Sequence, residues 1–279
     1  MGGRWMIGFL ADPLAQGFMR RALLAGTVMG GAGALLGVFI VQRGLAFLSD
    51  GLAHATFGGM ALGLLVGASA DQALWVALPF TALVAVGIGA VRRGSRLGSD
   101  VATGVFFALA FALGVLFLGL RPAKDNLNVE ALLFGSILAI SPDVLVAMLV
   151  VAGLTTAALA LTWSRLAYAT FDPELAALSG VPVAALDHLL LVLTALVVVV
   201  GVKTVGVILV SAFIVIPAAT ATLLARSLAG IGVLAVVLGV LGSVVGLFLS
   251  FHLNAASGAT IIVTLAAAFF AALVLRRGR

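Results

Sequence analysis

The stretch Arg43-Gly-Leu-Ala-Phe-Leu-Ser-Asp-Gly-Leu-Ala-His-Ala-Thr-Phe-Gly-Gly59 holds the residues best suited to chemistry, because it sets Asp50 and His54 inside a long apolar run. Four residues apart on an α-helix, the two side chains share a face, one turn from each other. At 1.5 Å per residue, Asp50 stands roughly 10 Å along the helix from Arg43. With Arg43 at a membrane surface, the pair lies inside the hydrocarbon layer. Ionisable groups are expensive there and mark a ligand site or an ion path by default. A carboxylate oxygen beside an imidazole nitrogen suits a borderline divalent cation such as zinc or manganese. Two other readings stay open at this point. One is an ion or proton relay in a secondary transporter or cation channel. The other is a polar contact that only fixes helix packing.

Composition says what must carry this pair. The 279 residues are 63% hydrophobic and 9% charged, with a mean hydropathy of +1.32. A water-soluble domain carries about 25% charged residues. The apolar residues come in runs of roughly 20, enough to cross about 30 Å of hydrocarbon as a helix. The runs are continuous rather than alternating, which excludes a strand-built barrel. The fold class is therefore all-α and polytopic, one transmembrane domain over residues 1–279, with about eight or nine spans. With no cysteine, disulfides and thiolate ligands are excluded, and three histidines and ten carboxylates remain for polar chemistry. The net charge of +5 is spread through loops and ends, so it orients helices and does not bind nucleic acid. No phosphate loop of the form G-x-x-x-x-G-K-[ST] is present, so this chain does not hydrolyse ATP. Neither an H-E-x-x-H pair nor a G-x-S-x-G elbow occurs, which argues against a hydrolase.

Residues 1–21, with Trp5, Phe9, Phe18 and Arg20-Arg21, read as an interfacial segment. The run from Ala22 to Val41 is too long for the core of a cleavable signal and reads as the first span. Further spans are expected at about 44–67, 72–91, 101–120, 143–164, 184–202, 205–225, 228–249 and 258–275. Gly26, Gly30 and Gly33 allow close helix packing, and Pro217 should kink its helix. Val129 to Ile140, capped by Asn128, is too short to cross and reads as a re-entrant or surface helix. Between two spans, 165–183 mixes polar and apolar residues. Asp172 can cap a short helix with Pro173 at its first position and Glu174 in its first turn. Gly180 can end it in the left-handed conformation. Phe171, Leu175 and Leu178 give that helix an apolar edge for a partner. If the terminal Arg276, Arg277 and Arg279 are cytoplasmic, so are Arg43, Arg92, Arg93, Arg96, Arg165 and Arg226, as the positive-inside tendency asks. His188, beside Asp187, then falls on the cytoplasmic side, and His252 at the outer end of a span.

Five segments in order resemble the permease subunits of bacterial ABC importers for zinc, manganese or iron. They are Leu48-Ser-Asp-Gly-Leu-Ala-His-Ala55; Leu133-Phe-Gly-Ser-Ile-Leu138; Phe171-Asp-Pro-Glu-Leu175 with Gly180-Val-Pro182; Val205-Gly-Val with Ile216-Pro-Ala-Ala-Thr220; and Ser257-Gly-Ala-Thr260. The resemblance implies a homodimeric permease of the type II importer kind in the bacterial inner membrane, served by ATP-binding cassette ATPase subunits and an extracytoplasmic metal-binding protein. It implies that Asp50 and His54 meet the transported ion and that no resident cofactor is held. It also implies that Phe171, Asp172, Pro173, Glu174, Leu175, Leu178 and Gly180 form the coupling helix for the ATPase. The chain departs from the family at Asn254 and Ala256, where an acidic residue and a proline are common.

Overall fold

In the computed structural model, residues 13, 15–69, 72–95, 98–121 and 142–277 are described, and every regular element among them is helical. The helices are α1 (Gly17–Gln42), α2 (Ala46–Leu65), α3 (Ala73–Gly94), α4 (Ser99–Leu120), α5 (Pro142–Phe171), α6 (Pro173–Leu178), α7 (Val183–Val205), α8 (Val207–Leu224), α9 (Leu228–Leu253) and α10 (Ser257–Arg277). Eight are long and apolar enough to cross a membrane. The remaining long helix is α2, whose Asp50 and His54 pull its hydropathy down. A helix of that polarity is tolerated at membrane depth when protein surrounds it. Fourteen of its twenty residues are buried, against α3, α4, α7 and α8.

Glycine lets the neighbours come so close. A Cβ at Gly51 would stand 2.6 Å from Thr103 Cγ2 of α4, and one at Gly59 2.7 Å from Ala77 Cα of α3. Small residues are the general means of close helix approach in membranes, where apolar burial supplies no net drive. Gly30 works likewise in α1, where an added Cβ would lie 2.6 Å from the Gly239 carbonyl oxygen of α9. The outer surface has the opposite character. Helices α4, α5 and α10 show Val105, Leu116, Leu154, Leu161, Val263 and Phe270 to the surroundings, as lipid contact requires.

Two expected boundaries move. Helix α1 begins at Gly17, so Arg20 and Arg21 lie in its first turns, not in a separate interfacial helix. Helix α5 runs on to Phe171, seven residues beyond the expected end, because nothing between Arg165 and Phe171 breaks a helix and Pro173 is the first residue that does. Pro217 stays inside the continuous α8. The re-entrant helix expected at 129–140 lies outside the described residues. Arg93, at the end of α3, contacts His188 of α7, and Arg43 contacts Thr170 at the end of α5. The start of α4 and the end of α5 therefore share a face. With both helices read as crossings, Arg121 and Pro142 stand together on the opposite face.

Candidate functional site

The entry to the site is a tight elbow. At the end of α1, Gly44 takes φ 66°. Its N–H donates to the Val41 carbonyl, and the Leu45 N–H donates to that of Ile40. This is a Schellman closure, which needs a residue free to adopt the left-handed region. Helix α2 starts two residues later and carries Phe47, Asp50 and His54 along its one open stripe. His54 is 23% exposed at the side chain and Asp50 39%, on a helix most of whose residues are buried.

The His54 ring has a defined orientation. Nδ1 lies 3.0 Å from the Asp50 backbone carbonyl and 3.9 Å from the Asp50 carboxylate. A carbonyl can only accept, so Nδ1 carries the proton, and in the neutral ring Nε2 keeps its lone pair. A histidine held in this way is prepared to bind a metal through Nε2. Phe107 and Phe111 of α4 stand edge-on to the ring at 4.6 and 5.8 Å between centroids, and Phe107 also meets Phe47. These aromatics limit how the imidazole can turn. Sequence reasoning did not single them out. Their signal was an i, i+4 pair of the right type, indistinguishable among seventeen phenylalanines. Among the described residues no group of three or more His, Cys, Asp or Glu comes together, and Asp50 and His54 stand as a pair.

The other histidines have different employment. Arg93 Nη2 lies 2.7 Å from His188 Nε2, and His188 Nδ1 lies 2.7 Å from the Ala184 carbonyl. Arginine donates only, so His188 accepts at Nε2 and donates from Nδ1. Both ring nitrogens are used. His252 sits in the last turn of α9 with its ring 5.4 Å from that of Phe251. Asn254 ends α9 at φ 49°, a left-handed position that asparagine tolerates better than most residues. That backbone duty accounts for asparagine at this position.

The short helix forms as its residues foretell. Asp172 Oδ1 accepts from the Leu175 N–H at 2.9 Å, Pro173 opens α6 and Glu174 lies in its first turn. Gly180 closes it at φ 80°, with Gly180 N–H on the Ala177 carbonyl and Val181 N–H on that of Ala176. Ala176 is buried, while Phe171, Leu175 and Leu178 are 65%, 50% and 86% exposed. Three large apolar side chains thus project from the arginine-rich end of the bundle. Arg43 departs from its expected place. It is no exposed surface marker: its side chain is 11% exposed and ion-paired to Asp187, because the Gly44 elbow aims it at α5 and α7.

Among the described residues, eight long apolar helices around the more polar inner helix α2 make a multi-pass membrane protein. The chain belongs to the ABC 3 transport family, whose model matches residues 15–276. It is 33% identical over 264 residues to the manganese transport system membrane protein MntC of Listeria innocua, covering 95% of this chain and 92% of that one. It is 32% identical over 276 residues to the chelated iron transport system membrane protein YfeD of Yersinia pestis, covering 96% and 89%. Among solved structures, PsaBC from Streptococcus pneumoniae in complex with Fab superposes with a TM-score of 0.83 at 31% identity, covering 96% of this chain and 95% of that one. The family likeness carried by the five segments is borne out.

Proposed function

We propose that this chain is the membrane-spanning permease subunit of an ATP-driven importer for a divalent metal ion, set in the bacterial inner membrane. The observation that carries the reading is the Asp50/His54 pair, on a largely buried helix, with His54 Nε2 left free by the bond from Nδ1 to the Asp50 carbonyl. A carboxylate and an imidazole on the one open stripe of a membrane helix have a ready use in holding a cation briefly on its way through. One chain brings two ligands. A second copy related by a two-fold axis brings two more, completing a four-ligand site of oxygen and nitrogen. Such donors accept zinc, manganese and iron alike. Relatives named for manganese and iron make those two the first to try.

The exposed apolar edge of α6 suits a groove in an ATPase subunit on the cytoplasmic side. Its position supports that role, since α6 joins two membrane helices by one- to four-residue connections. An extracytoplasmic metal-binding protein would deliver the ion to the opposite face. Uptake of manganese(II) into cells making this chain with its cognate ATPase subunit tests the reading. Asp50→Asn with His54→Gln should abolish uptake and leave the assembled complex intact. Undiminished uptake by that double variant would remove the ion site from this helix.

A further inference from the structure

The Arg43 guanidinium joins the end of α1 to both α5 and α7. Its Nε donates to Thr170 Oγ1 at 2.9 Å, and its Nη1 is ion-paired with the Asp187 carboxylate. Thr170 is the residue before Phe171, at the end of α5, and Asp187 is in the second turn of α7. The two helices that bracket α6 therefore meet on a single side chain. On its own strand of the chain, Arg43 directly precedes the Gly44 elbow, and Asp50 follows seven residues later. Next to it, Arg93 of α3 binds His188 of α7, so the start of α7 is also tied to a helix that flanks α2.

A mere topology signal explains little of this. Positive-inside arginines orient helices from exposed loops, whereas Arg43 is nearly enclosed. One of its nitrogens, Nη2, is buried with no hydrogen-bond partner. Buried donors are normally satisfied, and an exception asks for a reason. An arginine bound through two of its three nitrogens has the third in reserve for a second arrangement of the same helices. Bistable contacts of this kind turn small displacements into switches between discrete states.

We infer that Arg43 is a positioning residue that transmits movement of the α6 region to the Asp50/His54 helix. Displacement of α6 moves the end of α5 and the start of α7, and both pull on Arg43. Arg43 in turn re-aims α2 through the Gly44 elbow, which changes how the ion pair meets its counterpart. This inference rests on the permease reading given above, since it needs an ATPase at α6 and an ion at Asp50 and His54.

The test uses the full chain with its cognate ATPase subunit in proteoliposomes, with manganese(II) as the probe. Manganese taken up per ATP hydrolysed is compared for the wild type, Arg43→Gln, Thr170→Val, Arg43→Glu, and the charge exchange Arg43→Glu with Asp187→Arg. The expected result is a fall of at least ten-fold for Arg43→Gln with the ATPase subunit still copurifying at wild-type stoichiometry. A smaller fall is expected for Thr170→Val, and partial recovery in the charge exchange relative to Arg43→Glu alone. A ratio in Arg43→Gln equal to wild type overturns the inference and leaves the permease reading in place. Loss of assembly in both Arg43→Gln and Thr170→Val makes Arg43 structural and overturns it too. A wild-type complex that carries no manganese, zinc or iron overturns the permease reading, and this inference with it.

Discussion

Removing the Asp172 carboxylate tests how α6 is built and what it is for. The helix has six residues, far below the length at which an isolated helix is stable in water. It therefore depends on its ends. At the front, Asp172 satisfies the Leu175 N–H. At the back, the Gly180 closure and the Tyr168 to Ser179 hydroxyl contact at 3.0 Å hold it. Replacing an aspartate N-cap by alanine costs about 1 kcal/mol of helix stability. A change of that size is a factor of about five in an equilibrium. If the ATPase subunit binds only the folded α6, its apparent affinity weakens in proportion to the folded fraction, so Asp172→Ala should raise the dissociation constant by up to about five-fold. Asp172→Asn keeps an acceptor oxygen on a good capping residue and should stay near wild type. The assay is titration of the purified ATPase subunit onto the permease in nanodiscs. Equal losses for alanine and asparagine would refute the reasoning, because the charge and not the cap would then be what the partner reads.

Three further outcomes follow from the same geometry. Gly58→Ala places a methyl group 2.5 Å from the Ala110 carbonyl oxygen and should cost about 1–3 kcal/mol by overpacking. Thermal unfolding in detergent reads it against Gly104→Ala, whose nearest neighbour would be a Phe47 ring carbon at 3.9 Å; equal melting of the two variants would contradict the tight seat described for α2. His54→Ala should abolish manganese uptake while His188→Ala leaves it substantial, because both nitrogens of His188 are occupied within the protein; the reverse pattern would move the ion site to the arginine-rich end. Asn254→Gly keeps the left-handed end of α9 and should retain uptake, whereas Asn254→Val strains a position at φ 49° by about 1–2 kcal/mol. Loss of uptake in the glycine variant would give Asn254 a chemical role.

The local signals were legible because they act over a few residues. Asp172, Pro173 and Gly180 carry the start and stop of α6 in their own stereochemistry, and the structure places both where they point. The pairing of Asp50 and His54 on one face needed only helical spacing. Contacts between distant segments were not legible. Arg43 and Asp187 lie 144 positions apart, and a basic residue at the end of an apolar run looks the same whether it faces water or an aspartate. Phe107 and Phe111 became visible as neighbours of His54 only when α4 was seen to cross α2. Helix ends moved for a similar reason. Arg20 and Arg21 read as an interface marker by type, but helix propensity is indifferent to them, and α1 runs through both.

The seat of α2 also constrains how any rearrangement can proceed. Gly51 and Gly58 meet α4, and Gly59 and Gly63 meet α3, each with less room than one methyl group needs. Helices interlocked at that distance cannot slide past each other without rebuilding the contact, since packed interiors have few voids to move into. Thr81 adds a hydroxyl contact at 3.3 Å to Thr56, which in turn donates to the Leu52 carbonyl. Helices α2, α3 and α4 therefore move together or not at all. The Asp50 and His54 side chains keep their mutual geometry within one chain, held by the turn of helix between them. On the permease reading proposed above, what remains adjustable is the distance from this half-site to a second copy, and the junctions that would set it are the Gly44 elbow and the contacts of Arg43.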